Sequence, residues 1–90
     1  SGRVISYIDP VGLAAAAKQA SSSVTGRRAT SKEQRDFVKM IHGLQASGAT
    51  SIDVGARAEA FAREQAPVEA KAMDYANAAG LLMQTLGIGR

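Results

Sequence analysis

The chain has 90 residues with no Cys and no Trp, which fits one small domain that disulfides and thiolate zinc sites cannot reinforce. Its net charge is +3, but residues 1–50 carry seven basic and three acidic side chains, whereas residues 51–90 carry four and five. No run approaches the roughly 18–20 apolar residues of a membrane span, and no signal peptide is expected. The basic excess between Lys18 and Lys39 indicates a polyanionic partner.

Apolar residues recur at helical spacing along the whole chain, and no strand-like run occurs. This pattern predicts an all-α fold, a small bundle of three to four helices. The first helix is expected to run from Pro10 to about Ser21. Residues 21–26, which include three Ser and one Gly, are expected to form a polar and flexible linker.

The second helix has the clearest start signal in the chain. Thr30 and Glu33 have the spacing of a capping box, in which each side chain bonds the backbone N–H of the other residue. The helical pattern then continues through Gln45. The predicted core face of this helix consists of Phe37, Met40, Ile41 and Leu44.

The third helix is expected to open at Thr50 or Ser51 and to end before Pro67, because a residue that precedes proline is disfavoured in the α region. The fourth is expected to begin at Pro67 and to be capped by Gly87. Both helices are expected to turn an apolar stripe, with the aromatic side chains, toward the core. The stripes consist of Val54, Ala58, Phe61 and Ala62 on the third helix, and of Val68, Ala72, Tyr75, Ala76, Ala79, Leu82, Met83 and Leu86 on the fourth.

The second helix is basic on the face opposite its apolar stripe. At 100° per residue, Lys32, Arg35, Lys39 and His42 fall within about 80° of one another. His42 is the only side chain whose ordinary pKa suits proton transfer near neutral pH, so it is the candidate base for the 2′-hydroxyl of RNA. Arg35, two turns earlier, and Lys39 are candidates for stabilising the developing phosphorane charge. These three residues are the predicted catalytic residues of a metal-independent ribonuclease.

Three more bases are candidate nucleic-acid contacts. Arg27 and Arg28 on the preceding loop could hold phosphates with paired N–H groups, and Lys32 could add a third contact. Other catalytic classes lack their residues here, because the chain has no Gly-x-Ser-x-Gly elbow, no Cys and a single His. No cofactor and no metal are therefore expected. The alternative interpretation is that these charges simply form the solvated face of an amphipathic helix.

The segment around Asp9 can be interpreted in two compatible ways. Asp9 is a favourable N-cap, Pro10 suits the first helical position, and Ile8 and Leu13 have the spacing of a hydrophobic staple. Gly12 is not explained by a helix start, since Gly in a helical turn costs about 1 kcal/mol relative to Ala. The same residues spell Asp-Pro-x-Gly-Leu after an apolar lead-in, and this resembles the closing signature of the Rhs/YD-repeat core.

The resemblance to the Rhs family implies a junction between a β-rich shell and a C-terminal toxin. Residues 1–13 would be the end of the shell, and residues 14–90 would be the helical toxin domain, freed by autoproteolysis next to Leu13. It further implies secretion from a producer cell, for example by type VI secretion, and delivery into the cytoplasm of a rival bacterium. The implied partners are the Rhs shell and a cognate immunity protein, which we expect to be acidic and to cover the basic face.

A second resemblance concerns the chemistry. Arg35 and His42, with Asp36 directly after the Arg, resemble the Arg-x(4–6)-His pattern of HEPN ribonucleases, an all-helical family that usually dimerises. The resemblance implies that Arg35 and His42 are catalytic and that Asp36 supports them. Two alternatives remain open at this point. One is a non-enzymatic toxin that binds a protein or inserts into a membrane, although a mean hydropathy of −0.08 disfavours insertion. The other is an inert helical interaction module.

Overall fold

The computed structural model describes residues 4–87 and shows four α-helices in that part of the chain. They are α1 (Pro10–Thr25), α2 (Ser31–Ala46), α3 (Val54–Gln65) and α4 (Pro67–Leu86). No strand occurs among the described residues. The predicted small all-α bundle is therefore confirmed.

Helix α1 is longer than predicted. Asp9 Oδ1 accepts a hydrogen bond from the N–H of Val11 at 3.1 Å, as expected of an N-cap, but the helix continues four residues beyond Ser21. The prediction of a flexible linker over residues 21–26 is wrong. Hydroxyl groups in this segment donate hydrogen bonds to backbone carbonyls, and this stabilises the helix. Thr25 Oγ1 donates to the carbonyl of Ser21 at 2.6 Å, and both side chains are buried.

The helix ends at Thr25 and is capped by Gly26, which adopts φ 70°, a left-handed conformation that favours glycine. A Cβ at this position would lie 3.2 Å from Met73 Sδ on α4. Gly26 is thus required both by the helix cap and by the close approach of α4 to the end of α1.

The core forms around α1, which packs against the other three helices. Leu13, Phe37 and Ile41 are fully buried, and the Phe37 ring lies 5.5 Å from the ring of Phe61 on α3. The remaining buried core residues are small, mostly Ala. Small side chains let the helix axes approach closely, so a short chain fills its interior with few large residues.

The first residues of α2 and α3 are determined by N-cap side chains that accept hydrogen bonds from the backbone. The predicted capping box of α2 is confirmed, since Thr30 Oγ1 accepts from the N–H of Glu33 at 3.1 Å and Glu33 Oε1 accepts from the N–H of Thr30 at 2.9 Å. Helix α3 starts at Val54, later than predicted, because Asp53 is its N-cap and accepts from the N–H of Ala56 at 3.0 Å. The predicted start at Thr50 or Ser51 is wrong for this reason.

The expected inward stripe of α4 is wrong. Ala70 is its one buried residue among those described, and Tyr75, predicted to pack in the core, is 76% exposed. Twenty helical residues span about 30 Å, whereas the 12 residues of α3 span only about 18 Å. The second half of α4 therefore extends past the bundle. The molecule measures 64 × 24 × 18 Å, and its radius of gyration of 16.6 Å exceeds the roughly 12 Å of a compact chain of this length.

The start of α2 is expected to make the fold acid-sensitive. The pKa of Glu33 lies below its ordinary value of 4.5, chiefly because Arg27 donates to its carboxylate and secondarily because the N–H of Thr30 does. A lowered folded pKa means that this contribution to stability is complete above about pH 5.5 and is lost as pH falls through 4.5 and below.

We expect Glu33→Gln to lower the melting temperature at pH 7 and to flatten its fall between about pH 5.5 and pH 3. Gln can keep the capping hydrogen bond but not the charge. Thermal melts across this pH range are the measurement. Asp74→Asn, which removes the solvent-exposed pair with Arg63, is the control and should change the profile less. Equal changes in the two variants would contradict the assignment to Glu33.

Candidate nucleic-acid interface

A solvent-open groove runs between α1 and α2. It consists of two neighbouring furrows of about 730 Å³ and 840 Å³, both of which are lined in part by Ser31 and Gln34. The first furrow has an apolar wall formed by Pro10, Val11 and Ala14 on α1. We call the two furrows together the basic groove.

The charges that line the basic groove are predominantly positive. The bases are Lys18, Arg28, Lys32, Arg35 and Lys39. Among residues 4–87, the single lining acid is Asp36, which accepts from Lys32 Nζ at 2.7 Å. This hydrogen bond, followed by the charge of Lys32 itself and then those of Lys39 and Arg35, holds the pKa of Asp36 below its usual range. Five bases against one ionised acid leave the groove strongly attractive to a polyanion.

Four of the predicted site residues come together in this groove. Arg35 and Lys39 are exposed on its first furrow beside Lys32, and Arg28 lines the second furrow. The bond between Lys32 and Asp36 is a solvent-exposed i,i+4 pair and therefore weak, so it does not prevent Lys32 from contacting a phosphate. Lys18, which sequence reasoning left out of the site, joins them from α1.

Arg27 does not line the basic groove. Its guanidinium donates two hydrogen bonds to the carboxylate of Glu33, at 3.2 Å and 2.9 Å, and these raise its pKa. Arg27 thereby links the loop between α1 and α2 to the capping box of α2. The role of Arg27 as a phosphate contact stays a prediction, and we leave it out of the basic groove because its paired N–H groups donate to Glu33.

His42 lies one turn beyond Lys39 and is half-buried under the extended N-terminal segment, residues 4–9, which we call the strap. His42 Nε2 lies 2.8 Å from the carbonyl oxygen of Ile8, and its ring centroid lies 5.1 Å from that of Tyr7. A carbonyl only accepts, so Nε2 must be the donor. In neutral His42 the lone pair available for a proton is therefore on Nδ1.

Gln45 holds the strap at two further points. Its Oε1 accepts from the N–H of Ile8, and its Nε2 donates to the carbonyl of Ser6, both at 3.1 Å. The sequence does not predict this role of Gln45, because Gln45 and Ile8 are 37 residues apart and their contact leaves no local sequence pattern. The strap thus belongs structurally to the helical domain.

The four junction residues lie at the start of α1. Asp9 caps the helix, Pro10 is its first residue, Gly12 lies in its first turn, and Leu13 is fully buried in the core. The expected division into residues 1–13 and 14–90 therefore does not coincide with a structural boundary. It passes through a helix and removes one of the three largest buried side chains.

No protein-family model, no curated protein and no solved structure matches this chain. The resemblances carried by Asp9–Leu13 and by Arg35 and His42 consequently rest on those residues alone. Within residues 4–87, no three His, Asp or Glu side chains cluster closely enough to hold a metal ion. In the same range no helix combines the length and apolarity needed to cross a bilayer.

Proposed function

We propose that this chain is the toxin region of an Rhs-type effector, that it binds RNA along the basic groove, and that it cleaves RNA at His42, one turn beyond the groove residue Lys39. The observation that carries the proposal is the ratio of five bases to one acid in a single open groove next to the Asp-Pro-x-Gly-Leu segment. RNA backbones carry one charge per phosphate, so closely spaced Lys and Arg side chains bind them whatever the base sequence.

The proposed cleavage needs no metal. Nδ1 of His42 takes the proton of a 2′-hydroxyl, the 2′-oxygen attacks the adjacent phosphorus, and the bond from phosphorus to the 5′-oxygen breaks. The leaving 5′-oxygen takes a proton from water, and the resulting hydroxide takes up the proton held on His42. The products are a cyclic 2′,3′-phosphate and a 5′-hydroxyl. Arg35 and Lys39 stabilise the negative charge on the phosphorane. Lys32, Arg28 and Lys18 hold the flanking phosphates.

The Rhs resemblance supplies the biological setting of the proposal. The chain would leave a producer cell inside the Rhs shell, enter the cytoplasm of a rival bacterium, and be neutralised by a cognate immunity protein with an acidic surface. The burial of Leu13 leads us to place the start of the folded toxin at the strap and not at Ala14. Processing next to Leu13 would then have to leave that side chain associated with the bundle.

The test is incubation of the 90-residue chain with total bacterial RNA in the presence of a metal chelator. We expect RNA to be degraded by the wild-type chain and to survive with His42→Ala or Arg35→Ala, with losses of about 10²-fold or more. Arg57→Ala, an exposed base on α3 outside the groove, is the matched control and should remain active. RNA that stays intact with the wild-type chain would remove the ribonuclease proposal.

A non-enzymatic toxin is the second candidate, and the exposed apolar face of α4 favours it. Such a face could bind a protein of the target cell while the basic groove binds the immunity protein. RNA that is neither bound nor cleaved, together with growth arrest, would favour this candidate. Dye leakage from liposomes would distinguish a membrane target from a protein target.

A further inference from the structure

Helix α4 carries a heptad pattern that the bundle does not use. Its members are Val68, Ala72, Tyr75, Ala79, Leu82 and Leu86, and they alternate in steps of four and three residues. This is the a/d spacing of helices that pack along a shared seam. All six residues are exposed. We call this set the α4 seam.

The α4 seam points away from the rest of the molecule. At 100° per residue its six members fall within about 80°, and the centre of that arc lies about 170° from the residues that face the bundle. Those inward residues are Ala70, which is buried, and Met73, which approaches Gly26. A partner helix could therefore lie along the seam without meeting the bundle of the same chain.

The chemistry of the seam fits a partner that is equally uncharged. From Tyr75 to Leu86 the sequence has no charged residue. An interfacial membrane helix carries Lys and Arg on its polar face, and this half of α4 does not. A partner helix with the same composition would meet no unpaired charge.

We propose that the occupant of the α4 seam is the α4 seam of a second copy, packed antiparallel around a two-fold axis. In this arrangement Val68 of each copy lies opposite Leu86, Ala72 opposite Leu82, and Tyr75 opposite Ala79. Every layer pairs a small or medium residue with a large one, so the seam is complementary to itself in volume. A two-fold interface requires this reciprocity, in which residue i contacts j and j contacts i.

Two further arguments favour the antiparallel pair, namely the positions of the flanking charges and the poor packing of a parallel pair. In the antiparallel pair the flanking Glu69 faces Met83 and the flanking Lys71 faces Thr85, so no like charges meet. A parallel pair would instead place Ala72 against Ala72 and Tyr75 against Tyr75. At the interhelical distance that a layer of two Tyr side chains requires, a layer of two Ala side chains leaves a gap. The parallel pair therefore packs poorly.

Sedimentation or light scattering of the 90-residue chain over a concentration series tests the proposal. Because the seam spans fewer than three heptads, we expect a dimer that dissociates on dilution. Leu82→Glu should abolish the dimer, and Leu81→Glu should retain it. The two leucines are neighbours with similar exposure, 59% and 65%, but Leu81 lies off the seam. A chain that remains monomeric up to about 1 mM, or equal losses in both variants, would overturn the proposal.

Orientation can be tested by oxidation, because the chain has no native Cys. A mixture of Ala72→Cys and Leu82→Cys chains should form a mixed disulfide dimer in the antiparallel arrangement. Ala72→Cys alone should not cross-link, since its two copies would lie about 15 Å apart along the axis. Efficient cross-linking of Ala72→Cys to itself would contradict the antiparallel seam. The readout is independent of RNA, so it separates this proposal from the proposed function.

Discussion

Removal of residues 1–13 is expected to unfold the domain. Leu13 has no exposed surface, and loss of a buried Leu side chain costs about 2–5 kcal/mol. Loss of the Asp9 cap adds about 1 kcal/mol, and loss of the strap removes its hydrogen bonds to His42 and Gln45. A domain of this size has only about 5–13 kcal/mol of stability in total. The truncated chain should therefore lose most of its helical signal.

Circular dichroism and thermal melting of residues 14–90 against the full chain provide the measurement. Leu13→Ala in the full chain isolates the core contribution and should lower stability by about 2–5 kcal/mol. Val11→Ala is the matched control, because Val11 lies in the same helical turn but is 74% exposed, and it should change stability by less than about 0.5 kcal/mol. Cooperative melting of residues 14–90 at the full-chain temperature would show that the strap and the first turn are dispensable.

Reversing two charges of the basic groove is expected to weaken the proposed RNA binding strongly. In Arg35→Glu/Lys39→Glu, two basic side chains that line the first furrow become acidic, so two attractive contacts become repulsive. If about four phosphates are contacted, the logarithm of the binding constant of the wild-type chain should fall against the logarithm of salt concentration with a slope near −3. The variant should bind at least about 10²-fold more weakly, with a slope reduced by roughly half.

Fluorescence anisotropy of a labelled single-stranded RNA over a salt series measures both quantities. The control is Arg57→Glu/Lys71→Glu, which changes net charge by the same amount at exposed positions outside the groove. We expect this control to lose less than about 10-fold at moderate salt, because charges beyond the Debye length are screened. Equal losses in both double variants would mean that net charge, and not the groove, determines binding.

The features that the sequence predicts well are those with local causes. The capping box of Thr30 and Glu33, the break before Pro67 and the left-handed Gly87 each depend on a few neighbouring residues. The error at Ser21 has a local cause too, since Ser and Thr hydroxyls stabilise either a loop or the helix backbone, depending on burial.

The features that the sequence does not predict depend on distant contacts. Apolar periodicity predicts that α4 has an apolar face, but it does not show what covers that face. The prediction that Tyr75 packs in the core is wrong for this reason. The strap contacts of His42 and Gln45 join residues more than thirty positions apart. The basic groove was predicted in part, because the helical wheel places Arg35 with Lys39 but says nothing about Lys18 on α1.

The most direct measurement is growth of a bacterium that produces the 90-residue chain without any partner protein. A toxin that acts through the basic groove should arrest growth, and Arg35→Glu/Lys39→Glu, which alters only exposed positions, should restore it at equal protein levels. Normal growth with abundant, folded wild-type chain would contradict the account, whatever the groove binds in solution.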